Sequence, residues 1–166
     1  MAYPLDEAMI EYLILITKKA GNAIMEFYKT DIEIRKKIDS SPVTVADEKA
    51  EGIIRKALNK RYPEIPFVGE EAYSKGQIPD ISGGIFWLVD ALDGTKEFIR
   101  RNGEFTVNIA LIENGCPVLG VVHTPALRST YSAAYGQGAW RHIEGSVPVK
   151  IETQPYGGGA ARMAAS

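Results

Sequence analysis

The sequence predicts an α+β fold in which two N-terminal helices pack on a largely antiparallel sheet. Three observations carry this. Apolar residues recur at steps of three and four in the first third of the chain, short apolar runs separated by turn residues fill the rest, and Asn114-Gly115 stands between two of those runs.

The first helix is expected over residues 5–28, where Met9, Leu13, Ile16, Ala20, Ala23 and Phe27 share one face. Residues 32–37 alternate apolar and charged as an exposed strand would, and 38–42 read as a polar loop. Thr44 then opens a second helix, with Asp47 three residues on as an acidic variant of the capping box. Its buried stripe is Ala46, Ala50, Ile53, Ala57 and Leu58, and it stops near Tyr62-Pro63. Residues 66–69 form a short strand ending at Glu70 and Glu71, and 72–84 a connection bearing Gly, Pro and Ser.

Residues 85–89 read as a buried strand, so Asp90 and Asp93 emerge together where it ends. Gly94 and Thr95 then mark a helix N-terminus. Asn114-Gly115 joins 106–113 to 116–123 as a hairpin, and 129–135, 139–142 and 147–151 add further short strands. Residues 1–152 thus form one domain, and 153–166 a Gly/Ala-rich tail or the start of a further domain. Trp87 and Trp140 are expected in the core, and Cys116 as a small buried hydrophobe. His123 and His142 lack spaced partners and read as structural.

With 166 residues, 45% hydrophobic and 24% charged, the chain is neither disordered nor, at net −2, basic enough for general nucleic-acid binding. One cysteine excludes an internal disulfide and fits a reducing cytoplasm. The start lacks a signal-peptide pattern, and its apolar stretch is too short to span a bilayer.

The chemistry concentrates in Asp90-Ala91-Leu92-Asp93-Gly94-Thr95. Hard divalent cations take carboxylate and carbonyl oxygens, and this turn offers two carboxylates and the Leu92 carbonyl. The Gly94 and Thr95 N–H groups beside them are a seat for phosphate oxygens. Two other segments place acids at element ends, Asp47 and Glu70-Glu71, as binding of two or three Mg²⁺ ions requires. An acid in a first turn also favours the helix dipole, so Asp47 alone decides nothing.

Gly69-Glu70-Glu71 followed by Asp90-x-x-Asp93-Gly94-Thr95 resembles the first two signatures of the inositol monophosphatase superfamily of lithium-sensitive phosphatases. The continuation from Lys96-Glu97-Phe98 to Ala110 resembles its CysQ-like branch, the bacterial 3′(2′),5′-bisphosphate nucleotidases; inositol phosphatases usually have Asn-Phe where Glu97-Phe98 stands. Ser41-Pro42-Val43-Thr44-x-Ala46-Asp47 agrees. Two features depart from the pattern. Ala91 replaces the usual proline, and a third signature, Trp-Asp-x-Ala, is missing, with no Asp after Asp93.

The resemblance implies the first half of a layered α/β/α/β/α sandwich, with apolar surface left uncovered where the second half would pack. It implies Mg²⁺ (two to three ions) on Glu70, Asp90, Asp93 and the Leu92 carbonyl, with Asp90 bridging and Glu71 outside the inner coordination sphere. Asp47 and Thr95 would form a hydrogen-bonded pair that orients water, while Asp93, Gly94 and Thr95 hold the substrate phosphate. The implied reaction removes the 3′-phosphate of 3′-phosphoadenosine 5′-phosphate to give AMP without a phospho-enzyme, in the service of sulfur assimilation. Alternatives are an inositol or sugar monophosphatase, or an inactive metal- or phosphate-binding fragment. The implied partner is a phosphorylated nucleotide; a homodimer and a peripheral station at the inner membrane are compatible with the resemblance. Lys96, Arg100 and Arg101 form a basic run whose role stays open.

Overall fold

A computed structural model describes residues 4–28, 34–36, 42–155 and 157–158, the short segments 34–36 and 42–44 by their backbone alone. The first helix, α1 (Glu7–Tyr28), buries Met9, Leu13, Ile16, Ala20 and Ala23 as the periodicity predicts, with Phe27 half-buried. Asp6 caps it, its Oδ1 accepting the Met9 N–H at 2.8 Å. Strands β1 (Ile34–Lys36) and β2 (Pro42–Thr44) pair antiparallel. The loop expected at 38–42 lies, apart from Pro42 in β2, outside the described residues, as does the side chain of Thr44. Helix α2 (Val45–Arg61) follows, burying Ala46, Ala50, Ile54 and Leu58; Ile53 and Ala57 are half-buried.

Strand β3 (Phe67–Gly69) runs straight into a short helix, α3 (Glu70–Ser74), where the sequence suggested only a connection. Five residues are too few to display a helical period. Next come β4 (Ile85–Asp93), α4 (Thr95–Arg100), β5 (Thr106–Glu113) and β6 (Cys116–Thr124). A 3-10 turn at Pro125–Leu127 leads to β7 (Ser129–Ala134), β8 (Gly138–Ile143) and β9 (Val149–Ile151). Strands β3 to β9 form one sheet in sequence order, with β3 parallel to β4 and every later pair antiparallel. The β5–β6 turn has the left-handed geometry its dipeptide demands, with φ 52° at Asn114 and 78° at Gly115.

Helices α1 and α2 lie side by side on one face of this sheet, α2 over β4 and α1 over β5 and β6. Alternate strand residues Trp87, Val89, Val107, Ile109, Leu111, Leu119 and Val121 point into that core. Each large apolar side chain so enclosed contributes roughly 1.5–3 kcal/mol of transfer free energy. Tyr28, Phe98 and Phe105 stack in a group with ring centroids 5.1–5.2 Å apart, fastening α4 to the end of α1. Trp140 is 37% exposed, on the next-to-edge strand β8, and Cys116 is exposed at the start of β6, next to the hairpin turn, rather than buried. A tight two-residue turn projects its flanks into solvent, which overrides the usual burial of cysteine.

The opposite face of the sheet carries Leu88 and Val122, 46% and 39% exposed, with Ala110 and Gly120 between them. Among the described residues no helix of the core layer covers this face. No helix among the described residues is long and apolar enough to cross a membrane.

His123 is a polar residue inside the helix-facing core, 5% exposed on β6. Its ring lies so close to α1 that a Cβ on Gly21 would stand 2.7 Å from Cδ2, which explains a glycine in mid-helix. Nδ1 lies 3.2 Å from the Ser129 carbonyl and 2.9 Å from Thr130 Oγ1; protonated, it donates to that carbonyl. Burial lowers its pKa from 6.5 to about 4, with nearby Lys18 acting in the same direction and the Ser129 bond and Glu144 opposing. His142, which bonds Ser132 Oγ at 2.8 Å, is likewise lowered by burial and by Lys18.

The native state thus stays neutral at His123 while the unfolded chain takes up a proton below pH 6.5, so stability is complete above that pH and declines toward pH 4. By pH 5 the loss from this residue is about 2 kcal/mol. Urea unfolding at pH 7.5 and pH 5 measures it, and His123→Gln is expected to remove about that much of the pH dependence. An unchanged dependence in the variant contradicts this origin.

Candidate functional site

The acids of the Asp-x-x-Asp turn sit inside β4 rather than beyond its end. In a regular strand, residues three apart face opposite sides of the sheet. The register corrects this. Asp90 pairs with Asn108 and Asp93 with Thr106, so Ala91 and Leu92 together oppose one residue of β5 and form a bulge. The extra residue restores parity, and both carboxylates fall on the face shared by Thr106 and Asn108. Ala91 and Leu92 are buried, at 1% exposure each, which anchors the bulge in the core.

Asp90 Oδ1 accepts the Leu92 N–H at 3.2 Å, holding the bulge from within. Asp93 Oδ2 accepts from Asn108 Nδ2 at 3.2 Å. The Thr95 hydroxyl donates to the Leu92 carbonyl at 3.2 Å. Gly94 links the bulge to α4 with φ 88° and ψ 41°, a left-handed conformation favouring glycine. A Cβ there would stand 2.8 Å from the Glu104 carbonyl oxygen.

Glu70 heads α3, which leaves β3 beside β4 in parallel register, Gly69 opposite Val89. The parallel pairing brings Glu70 next to Asp90, and both line a cavity of about 480 Å³ with Asn108, Gly69 and Tyr73. Glu71 is 3% exposed and turned into the protein. Asp47, in the first turn of α2, is 2% exposed. Lys96, Arg100 and Arg101 are exposed, and the Arg101 guanidinium lies 5.1 Å over the Tyr28 ring.

Among the described residues, no three His, Cys, Asp or Glu side chains already stand close enough to chelate an ion. Glu70 at the start of α3 and Asp93 at the end of β4 are exposed carboxylates. The donor set fits a hard divalent cation, since it consists of carboxylates and the Leu92 carbonyl. Asn108 Oδ1 adds a buried acceptor oxygen with no hydrogen-bond partner among the described residues, beside Asp90 and Asp93. Sequence reasoning did not single out Asn108. Its signal was a polar residue two places from Thr106 in the apolar run of β5.

The chain is 48% identical over 135 residues to the 3′(2′),5′-bisphosphate nucleotidase CysQ of Salmonella typhimurium, covering 80% of this chain and 54% of that protein. It is 44% identical over 135 residues to the Escherichia coli protein of the same name, with the same coverage of 80% and 54%. It spans about half the length of these curated relatives. Among solved structures, CysQ from Bacteroides thetaiotaomicron superposes with a TM-score of 0.66 at 36% identity, covering 92% of this chain and 54% of that one. A Thermotoga maritima IMPase gives 0.72 at 30% identity, covering 84% and 52%. Residues 5–163 match the description of the inositol monophosphatase family, and with its helices packed on a mixed seven-stranded sheet the chain belongs to that family.

Proposed function

We propose that this chain carries the ion- and phosphate-holding part of a Mg²⁺-dependent phosphomonoesterase acting on 3′-phosphoadenosine 5′-phosphate. The observation that carries the reading is the β4 bulge, which turns Asp90 and Asp93 onto one face beside Asn108, with Asp90 and Asn108 lining the cavity that Glu70 also lines. When bound, divalent cations supply Lewis acidity, acidifying the attacking water and offsetting charge on the phosphoryl group and the departing oxygen. Glu70, Asp90, Asp93 and the Leu92 carbonyl are the residues that hold them.

The chain's own groups then divide the remaining work. Backbone N–H groups of Gly94 and Thr95 hold the phosphate, with Asp93 alongside. The Thr95 hydroxyl gives its proton to the Leu92 carbonyl, so its lone pairs are left to accept a hydrogen bond from the water and orient it. Asp47 takes the proton as the water oxygen bonds phosphorus. The bond from phosphorus to the 3′-oxygen breaks, that oxygen takes a proton from solvent to give AMP and inorganic phosphate, and Asp47 returns its proton to solvent.

The substrate assignment is supported by the activity for which the CysQ relatives are named and by Glu97 following Lys96. One observation favours a second reading, an inositol or sugar monophosphatase: the superposition on the Thermotoga maritima IMPase, at 0.72, exceeds that on CysQ, at 0.66. Phosphate release from 3′-phosphoadenosine 5′-phosphate and from inositol 1-phosphate, both with Mg²⁺, separates the two. At least about a tenfold preference for the nucleotide, roughly 1.4 kcal/mol in transition-state binding, is expected. The reverse preference supports the second reading, and no release from either by a chain that binds Mg²⁺ identifies a binding module.

A further inference from the structure

Glu51 is buried on α2 at 3% exposure, one helical turn after Asp47 on the same face. A buried carboxylate needs partners. Its Oε2 accepts the N–H of Glu71 at 2.7 Å and its Oε1 that of Ala72 at 3.0 Å, the second and third residues of α3. Helix α3 has no side-chain cap of its own at Gly69, so the capping carboxylate comes from another helix.

Arg55 steadies that carboxylate, with Nη2 2.8 Å from Glu51 Oε1, Nη1 2.8 Å from Gln77 Oε1 and the guanidinium 5.2 Å over the Phe67 ring. Gly69 makes the approach feasible, since a Cβ there would lie 2.5 Å from Glu51 Oε2 and 2.6 Å from the Phe67 ring. Its φ of −118° is open to any residue, so space and not backbone freedom requires glycine.

The geometry points to Glu51 as a positioning residue: by clamping the first turn of α3 through two backbone N–H groups, it fixes where Glu70 enters the cavity shared with Asp90. This rests on the reading of Glu70 as an ion ligand. One face of α2 thereby supplies both Asp47 and the brace that sets the distance from α2 to the ion-holding residues. Partners that orient metal ligands without touching the metal typically change affinity by about 10–100-fold.

The test is Mn²⁺ binding to the 166-residue chain by titration calorimetry, with amide hydrogen exchange at Glu71 and Ala72 read in parallel. Glu51→Gln leaves one acceptor for two N–H groups and removes the charge that Arg55 faces. It is expected to weaken Mn²⁺ binding about tenfold and to speed exchange at both amides. Glu51→Asp, which keeps the charge but withdraws it by one methylene, is expected to change both in the same direction and serves if Glu51→Gln does not fold. Ile54→Val, a buried change on the same helix, is expected to lower the melting temperature and leave Mn²⁺ affinity unchanged. Affinity within twofold of the unsubstituted chain in the folded Glu51 variants, while Glu70→Gln abolishes binding, overturns the positioning role alone. Unchanged affinity in Glu70→Gln overturns the ligand assignment beneath it.

Discussion

Asp90→Asn is expected to weaken divalent-ion binding about a hundredfold, a loss of roughly 3 kcal/mol, and to lower any phosphate release at least as much. Asn has the volume of Asp and keeps an Oδ1 to accept the Leu92 N–H, so the bulge retains its internal bond. Only the charge is removed, and with it the carboxylate that shares the cavity with Glu70. Without metal the melting temperature is expected to stay within about 2 °C, because the substitution relieves repulsion among neighbouring carboxylates as much as it costs. Calorimetric titration with Mg²⁺ and Mn²⁺ beside a thermal melt checks both. Affinity within a few-fold of the unsubstituted chain would remove Asp90 from the ion site.

Gly94→Ala is expected to cost roughly 2–5 kcal/mol, combining left-handed strain with a clash. Its φ is 88°, and the new Cβ would meet the Glu104 carbonyl oxygen at 2.8 Å and Phe105 Cα at 3.2 Å. Both are backbone atoms leading into β5, and neither moves without shifting the strand that registers Asp90 and Asp93. The melting temperature should fall by about 5–15 °C for a chain of this length, and ion affinity should fall with it. Gly115→Ala is the internal comparison. Its φ is 78°, yet a Cβ there meets nothing within 4 Å, so strain alone applies and the cost is nearer 1 kcal/mol. Equal losses in the two variants would contradict the role assigned to the Gly94 contact.

The fold was legible wherever its cause is local. The α1 stripe, the α2 stop at Arg61 and the Asn114-Gly115 hairpin each follow from spacing or turn chemistry within a few residues. What escaped depends on partners distant in sequence. The strand carrying Asp90 and Asp93 reads as ending at Val89, because their spacing defies alternation; only the register against Asn108 and Thr106 shows a bulge in a longer strand. Helix α3 is hidden because its capping carboxylate, Glu51, lies 20 residues upstream. Trp140 is exposed through its place on β8, which the identity of the residue does not encode.

The candidate site divides in the same way. Acids at element ends were visible as chemistry, and the family signatures attached roles to them. That Asp90 and Glu70 share a cavity follows from the parallel pairing of β3 with β4, an arrangement their own motifs do not state. Thr95 shows the opposite case. The residue was visible, but the hydrogen bond its hydroxyl donates to the Leu92 carbonyl, three residues back, is one the motif does not state.

The most direct measurement is anomalous diffraction from crystals of the chain soaked in Mn²⁺. The account predicts at least one manganese peak bound by Asp90 together with Glu70 or Asp93, at oxygen distances of roughly 2.1–2.3 Å. Manganese absent from that face, or bound there by groups other than these carboxylates, would contradict it.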